Sequence, residues 1–352
     1  MDESGSGRQD AGRPPVLEDV ARLADVSAMT VSRVLNSPEK VRPQTRDRVM
    51  AAVRQLGYRP KIAGRVPSAE GSGILGIVTV GSQLYGPAST LFAVEQAARQ
   101  HDYLISVIRL DVPGRRALGE SVGLLRGLPV DGIIVIAPLE SVLDGLRSLA
   151  ADLPLVVVDA AAEDIPFPVA AIDQRAGAAR AVRHLLSLGH ETVWHVAGPT
   201  GWVDADSRQD AWREVLESEG RPVPEPIIGD WSARSGYEQG RLIARDPGVT
   251  AVFAANDAMA LGLQRALWEA GRPVPYEVSV VGFDDVPESG YLVPPLSTVH
   301  QDFGEVGHRA VQLLLDQLAE PEAAATPPPR SLIEPELVVR ESTVSRRRPD
   351  DR

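Results

Sequence analysis

The feature that most constrains this chain lies near its N-terminus, where two short helical patterns flank a polar turn. Residues 19–36 read DVARLADVSAMTVSRVLN. Apolar residues recur at helical spacing on both sides of a turn at 24–27. This is the spacing of a helix-turn-helix, a motif whose second helix enters the major groove of DNA. The outward face of that second helix is predicted to carry Ala28, Met29, Thr30, Ser32, Arg33 and Asn36.

A third amphipathic segment follows at 43–56, with Val49, Ala52, Val53 and Leu56 on one face. Three such helices suffice for a small headpiece with its own core. An isolated pattern of this kind also occurs as an ordinary helical hairpin inside a globular domain. The place of the motif in a locally basic stretch favours the DNA-binding interpretation.

Charge is distributed unevenly along the chain. The net charge of −12 by itself argues against nucleic acid as a partner. Residues 13–65, however, contain eleven Arg or Lys and five Asp or Glu, whereas residues 66–352 contain 24 basic and 40 acidic side chains. A basic tip on an acidic body confines phosphate attraction to one end, and salt should weaken that contact strongly.

Composition excludes several classes of protein. The 352 residues, 43% hydrophobic and 24% charged, are typical of a soluble chain of two or three domains. No apolar run approaches the roughly 18 residues of a membrane span, and the polar residues 1–15 are expected to be a disordered lead rather than a secretory signal. The absence of cysteine excludes disulfides and thiolate chemistry and fits the cytoplasm. Histidines at 184, 190, 195, 300 and 308 lack metal-ligand spacing, so no metal and no cofactor is expected.

From residue 73 onward, Val/Ile-rich strands alternate with helical patterns. This order predicts doubly wound α/β layers with parallel strands buried on both faces, and their length predicts two such subdomains. Ligands of such sheets bind beyond the carboxyl ends of the strands. Those ends carry Asp159, Asn256, Asp257, Asp284 and Asp285. Strands are predicted at 74–80, 103–109, 132–138, 153–159, 169–173, 192–198, 250–256 and 278–285, and helices near 88–100, 140–150, 176–188, 205–219, 234–245, 257–271 and 303–318.

Several long segments resemble the lactose repressor (LacI/GalR) family over residues 16–341. They are LEDVARLADVSAMTVSRVLN and VRPQTRDRVMAAVRQLGYRP in the headpiece, and LLSLGHETVWHVAGP, GDWSARSGYEQG, VFAANDAMALGLQRAL, VSVVGFDD and PPLSTVHQDFGEVG in the body. The resemblance implies an N-terminal all-α helix-turn-helix headpiece and an α/β effector-binding core of two doubly wound parallel-sheet subdomains, similar to a periplasmic sugar-binding protein. It also implies a homodimer on near-palindromic double-stranded DNA.

The expected domain boundaries follow from that resemblance. The headpiece is expected at 16–60, a hinge or linker at 61–72, the core at 73–341 and a polar tail at 342–352. Within the core, we expect an N-subdomain at about 73–172 and 303–330 and a C-subdomain at about 173–300 and 331–341. The C-terminus has no Leu-heptad extension, which favours a dimer over a tetramer.

The resemblance also implies an effector site for a sugar or glycoside. Carboxylates and amides would bridge hydroxyls, Arg208 would donate a forked pair of hydrogen bonds, and aromatic rings would supply apolar surfaces. The expected residues are Tyr85, Gly86, Pro87, Asp159, Arg208, Trp231, Asn256, Asp284, Gln301 and Phe303.

Several of these assignments have a structural alternative, and Arg208 could belong to a solvated face of its helix. Asp159 and Asp284 could cap turns, Trp231 could be a core aromatic, and Asp257 is expected to cap the helix after it. The third strand ends in apolar residues 135–138, which points to a different sugar or a different way of holding it. Trp202, Asp204 and Asp206 either extend the pocket towards a larger glycoside or form a surface loop.

Arg33 is the strongest candidate for base readout, because a guanidinium can bond O6 and N7 of guanine together. Ala28 and Met29 could touch thymine methyl groups, whereas Ser27, Thr30, Ser32, Asn36 and Thr45 are candidates for phosphate or sugar contacts. Ser27 could instead be only an N-cap.

Three departures from the family pattern affect the headpiece and its hinge. Asp25 stands where the family turn has Gly, and Val16 replaces a hydroxyl N-cap. In the hinge, Gly64 weakens the expected helix and Pro67 ends it. In the family, a short hinge helix inserts a Leu into the minor groove at the centre of the operator. We expect Val66 or Pro67 to insert there less deeply than that Leu.

Together these patterns predict a repressor of carbohydrate-utilisation genes that a sugar or glycoside releases from DNA. An effector acting as corepressor is an alternative, and so is a sugar-binding protein without a DNA role. A carbohydrate enzyme is disfavoured, because the adjacent Asp284 and Asp285 would point to opposite faces of a strand.

Overall fold

The computed structural model describes residues 16–36, 41–56, 71–80, 84–149, 153–158, 164–320 and 327–346. The chain divides into two compact units, Met1–Glu70 and Gly71–Arg352. The hinge positions Val66 and Pro67, with Gly64, lie outside the described residues, and so does Asp159.

The first unit contains three helices, α1 (Leu17–Leu23), α2 (Ala28–Asn36) and α3 (Pro43–Leu56). Their bounds agree with the predicted helix-turn-helix and third helix. The helices share a small core of valines and alanines in which Val20, Val31 and Val49 are fully buried.

Two unusual positions of this unit have local explanations. Asp25 adopts a left-handed backbone, with φ of 48°. This is the conformation for which the turn would otherwise use Gly, and Asp tolerates it better than most residues. At the start of α1 the Val16 backbone N–H donates to Asp19 Oδ2 at 2.9 Å, so an acidic side chain from inside the helix bonds the cap position.

The second unit contains two six-stranded sheets. The first has the order β11-β5-β4-β3-β1-β2 and is parallel throughout. Its strands are β1 (Ile74–Val80), β2 (Leu104–Leu110), β3 (Gly132–Ile136), β4 (Leu155–Val158), β5 (Val169–Ile172) and β11 (Arg330–Ile333). The second has the order β12-β10-β9-β8-β6-β7 and is parallel except for the antiparallel edge strand β12. Its strands are β6 (Trp194–Ala197), β7 (Ile227–Ile228), β8 (Ala251–Ala254), β9 (Ser279–Asp284), β10 (Ser297–His300) and β12 (Glu336–Val338).

Helices cover both faces of each sheet, because alternate strand residues point to opposite sides and nearly all are apolar. The helices of the first sheet are α4 (Tyr85–Gln100), α5 (Arg115–Arg126), α6 (Glu140–Arg147) and α11 (Phe303–Ala319). Those of the second are α7 (Gln174–Ser187), α8 (Val203–Ser218), α9 (Ala233–Ile243) and α10 (Asp257–Glu269). Each face has its own buried cluster, so each subdomain has a core on both sides of its sheet.

The chain passes between the two sheets three times: after β5, after β10 and after β11. The last crossing follows Ile333, three residues beyond the expected boundary at 330, because β11 pairs with β5 of the first sheet. The sequence reading missed α5, in which Gly119 and Gly123 obscure the helical pattern, and the short strands β7 and β10.

Candidate effector cleft and headpiece surface

A cleft lies between the two subdomains of the second unit, at the carboxyl ends of their strands. Its walls come from the segments after β1 and β3 in the first sheet and from those after β6, β7 and β8 in the second. The end of β9 and the crossing between β10 and α11 complete them. This is where open α/β sheets bind ligands. The cleft is lined by Leu84, Tyr85, Gly86, Pro87, Pro138, Trp202, Asp204, Arg208, Trp231, Asn256, Asp284, Gln301 and Phe303.

Every described residue of the expected effector set therefore lines this one cleft. Leu84, Pro138, Trp202 and Asp204 line it as well. Of the acidic pair at the start of α8, Asp204 faces the cleft and Asp206 is exposed, because positions 204 and 208 share a face of the helix and 206 does not.

Arg208 is the buried cation of the cleft, with only 3% of its surface exposed. Its Nε donates to Gln174 Oε1 at 2.8 Å, and its guanidinium carbon lies 3.8 Å from the ring centroid of Phe283. The terminal nitrogens NH1 and NH2 lie 3.9 Å from Asp284 and from Asp204 respectively, beyond direct hydrogen-bond distance. The guanidinium thus stands between two carboxylates without bonding either directly.

A chain of side-chain amides connects Arg208 to Asp284. Gln174 Nε2 donates to Gln301 Oε1 at 2.9 Å, and Gln301 Nε2 donates to Asp284 Oδ1 at 2.7 Å. Because Arg208 can only donate, it fixes the orientation of both amides. Sequence reading missed Gln174, whose only signal was its position directly after the strand VAAID and its N-cap Asp173.

The cleft residues Trp231 and Asp284 have strained backbones. Trp231 has φ of 73° and Asp284 has φ of 115°, a region that costs a non-glycine residue about 1–3 kcal/mol. Trp231 packs on Gly198, where a Cβ would lie 2.4 Å from the indole ring. Among the residues that the structure describes, its buried indole N–H has no hydrogen-bond partner. Strain of this kind is typical of ligand-binding sites.

On the headpiece, the outward side chains of α2 that the structure describes are exposed or partly exposed. Arg33 is exposed, Met29 is 71% exposed, and Ala28, Thr30 and Ser32 are partly exposed. Ser27 Oγ accepts from the Thr30 backbone N–H at 3.2 Å, so this side chain caps α2. Thr45 lies in the first turn of α3, and Asn36 ends α2.

Comparisons with known proteins identify both units. A family model described as bacterial regulatory proteins, lacI family, matches residues 16–61, and a periplasmic binding protein-like domain matches residues 182–343. The lactose operon repressor of Klebsiella pneumoniae is 35% identical over 94% of this chain and 92% of that protein. The regulator CelR of Thermobifida fusca is 33% identical over 94% of this chain and 98% of that protein.

The chain belongs to the lacI family of bacterial regulatory proteins. Two solved structures agree with this assignment. The lac repressor dimer bound to operator and the anti-inducer ONPF matches with a TM-score of 0.78 at 33% identity, over 94% of this chain and all of that one. The CelR–cellobiose complex matches with a TM-score of 0.67 at 30% identity, over 93% and 99%. These relatives are regulators of transcription rather than enzymes.

One expectation for this lacI-family chain is wrong. Asp257 does not cap α10; Asn256 does, because its backbone is extended and its Oδ1 accepts from the Met259 N–H at 2.9 Å. Asn256 Nδ2 also donates to the carbonyl of Trp231 at 3.1 Å and so helps to hold its strained backbone. Asp257 is buried and accepts from Ser289, Thr298 and the Val286 N–H. It therefore connects α10 with the loop after β9.

Two histidines of the second unit, His195 and His190, are buried and bonded within the core. His195 is buried, stacks on Phe253 and shares a hydrogen bond with that residue's carbonyl, while His190 bonds Thr250. Within the described residues, no group of three His, Asp or Glu is placed to hold a metal ion. In the part of the chain that the structure describes, none of the helices combines the length and the hydropathy of a membrane span.

Burial raises the pKa of the Asp284 carboxyl from 3.8 to about 8, and the nearby Arg208 opposes this effect. Since the folded state favours the protonated acid, Asp284 contributes stability that is fully present below about pH 4 and is lost as the pH rises towards 8. Asp284→Asn is therefore expected to match the wild type in stability near pH 4 and to exceed it by roughly 2–5 kcal/mol near pH 8. Unfolding in urea at a series of pH values measures the difference.

Asp285→Asn is the matched control for this prediction. Asp285 bonds Arg340 at 2.7 Å and faces His300, so its loss should give no such gain. A stability difference between wild type and Asp284→Asn that does not change with pH would contradict the prediction.

Proposed function

We propose that this chain is a homodimeric DNA-binding repressor of carbohydrate-utilisation genes whose operator affinity is controlled by a sugar or glycoside held between the two core subdomains. One observation carries the proposal. A helix-turn-helix headpiece occurs in the same chain as a cleft in which Arg208, two carboxylates, two amides and aromatic rings converge. Such a regulator acts where the DNA is, in the cytoplasm.

The cleft has the chemistry that a sugar requires. Hydroxyl groups both donate and accept. The cleft offers the acid groups of Asp284 and Asp204, which accept hydrogen bonds when ionised and can also donate when protonated, beside the donor Arg208. Trp231 and Phe303 supply flat apolar surfaces of the kind that stack on the C–H face of a sugar ring. The CelR–cellobiose complex and the lac repressor with ONPF support this class of effector, because the chain resembles both over nearly its whole length.

The proposed control is thermodynamic linkage. The cleft takes residues from both subdomains, so an effector that fits one relative orientation better than another shifts the balance between them. Effector and operator then change each other's affinity by the same factor, about 5- to 150-fold for a coupling of about 1–3 kcal/mol. We favour an effector that lowers operator affinity and releases the protein from DNA. The alternative is a corepressor, which would raise operator affinity.

On the headpiece, we propose that Arg33 reads a guanine and that Ala28 and Met29 contact thymine methyl groups. Ser27, Thr30, Ser32, Asn36 and Thr45 are the proposed backbone contacts, with Val66 or Pro67 at the minor groove. The role of Ser27 as a helix cap is compatible with a phosphate contact, because its hydroxyl can donate to phosphate when Thr30 is the donor in the 2.9 Å bond between the two hydroxyls.

The proposal is tested in two steps. A thermal-shift screen of the full chain against cellobiose, lactose, maltose, glucose and galactose should raise the unfolding temperature with at least one sugar, since a ligand at 100 times its Kd adds about 2.7 kcal/mol. A gel shift on DNA flanking the chain's own gene, with and without that sugar, then gives the sign of the coupling. Sequence-independent DNA binding, or turnover of the sugar by the purified protein, would refute the proposal.

A further inference from the structure

Two side chains at the start of α8 line the cleft but are not among the expected effector residues. They are Trp202, the residue just before the helix, and Asp204 in its first turn. Both stand on the wall next to Pro138, where β3 ends in apolar residues.

The backbone beside Trp202 bridges the two subdomains. The Val203 N–H donates to the carbonyl of Pro138 at 3.0 Å, and the Glu140 N–H donates to the carbonyl of Gly201 at 3.1 Å. Leu139 and Trp202 pair across this bridge. The backbone around Trp202 is thus held by main-chain bonds that do not involve its side chain, so a substitution there can leave them in place.

The Trp202 ring is only partly buried and contacts Trp231 edge-to-face, with centroids 5.9 Å apart and planes at 77°. The two indoles therefore form a corner rather than one continuous surface. A sugar ring that lies flat on one of them cannot also lie flat on the other, so the corner offers separate surfaces to separate rings.

Asp204 supplies polar groups to the same part of the cleft. Its nearest charged partner is Arg208, at 3.9 Å, and among the described residues no donor bonds its carboxylate directly. Burial raises its pKa, which is the expected response of a carboxylate short of donors. Ligand hydroxyl groups would supply those donors.

We infer that Trp202 and Asp204 form a second sugar subsite beside the one made by Trp231 and Asp284, and that the effector is a disaccharide rather than a monosaccharide. The inference rests on the proposed function. Trp202 stacks on the second ring, and Asp204 accepts hydrogen bonds from its hydroxyl groups. Trp231, Asp284 and Gln301 hold the first ring.

The test is calorimetric titration of the full chain with the disaccharides cellobiose and lactose and with their component rings, glucose and galactose. The wild type should bind one disaccharide at least about tenfold more tightly than either of its component rings. Trp202→Ala should weaken that disaccharide about tenfold and its component rings less than about twofold. Asp204→Asn should act in the same direction, and Trp202→Phe should restore most of the loss because it retains a stacking ring.

The chain offers matched controls for each substitution. Trp268→Ala removes an exposed indole from α10 that does not line the cleft, and Asp206→Asn removes the neighbouring acid that faces solvent. Neither should change sugar affinity. Asp284→Asn should weaken disaccharide and monosaccharide alike, and thermal unfolding checks that each variant is folded.

Three results overturn the inference. Equal weakening of disaccharide and component ring by Trp202→Ala would place Trp202 in the first subsite. Equal wild-type affinity for both would show that no second subsite exists, although the proposed function would stand. Binding of none of these sugars would refute the proposed effector class, and the second subsite with it.

Discussion

Replacing Arg208 with methionine is expected to lower the free energy of unfolding of the core by about 3–5 kcal/mol and to abolish effector binding. The substitution leaves the buried Asp284 and the partly buried Asp204 without their cation, and it leaves the buried Gln174 Oε1 without its donor. The loss should be larger at pH 8 than at pH 5, because Asp284, whose pKa is raised to about 8, can take up a proton at the lower pH and no longer needs a cation. Urea unfolding followed by tryptophan fluorescence at the two pH values measures it.

Arg213→Met is the matched control, since Arg213 is exposed on the same helix, and it should change the stability very little. Arg208→Lys keeps the charge but cannot reproduce the fork of donors. It should therefore fold better than Arg208→Met and still bind effector more than about tenfold more weakly than the wild type. A cost for Arg208→Met no greater than that for Arg213→Met would show that the guanidinium does not hold the cleft together.

Replacing Arg33 with alanine is expected to lower affinity for the operator by about 1–3 kcal/mol, or roughly 5- to 150-fold, while binding to random DNA falls much less. Arg33 is exposed on the outward side of α2, so its removal should not disturb the headpiece core. Effector affinity should be unchanged, because the cleft lies in the other compact unit. Competition gel shifts with operator selected from a random pool, at two salt concentrations, give both quantities.

Arg22→Ala is the control for Arg33→Ala, because Arg22 is an exposed arginine on α1 that pairs with Asp19 at 3.5 Å. It should leave the sequence preference intact. Asp284→Asn should show the reverse of Arg33→Ala, with operator preference kept and effector response lost. Loss of both activities in either well-folded variant would argue against this division of labour.

The sequence predicted the fold well wherever local pattern decides structure. The three headpiece helices, the left-handed turn at Asp25 and most strands of the core follow from apolar spacing and turn residues. It failed where the local signal is weak, as at α5 with its two glycines. It also assigned the N-cap of α10 to Asp257 instead of Asn256, because both are good cap residues and only the backbone shows which one is extended.

The sequence likewise predicted one part of the candidate cleft and missed another. Resemblance named nine residues that the structure brings to one cleft, but it left open whether Trp202 and Asp204 lie at a pocket or on a surface loop. It gave no role to Gln174. That side chain bonds the cleft residues Arg208 and Gln301 only because its helix packs where the chain crosses between the sheets.

By itself, the sequence determined the order of helices and strands, the outward face of α2 and which polar residues end the strands, because each depends on neighbours a few positions away. Only the tertiary structure decided that Arg208, Gln174, Gln301 and Asp284 form one hydrogen-bonded chain. Gln174 and Gln301 are 127 positions apart. The physical reason is that a buried guanidinium or carboxylate takes whatever partners the packing of two subdomains supplies, and no local pattern specifies those partners.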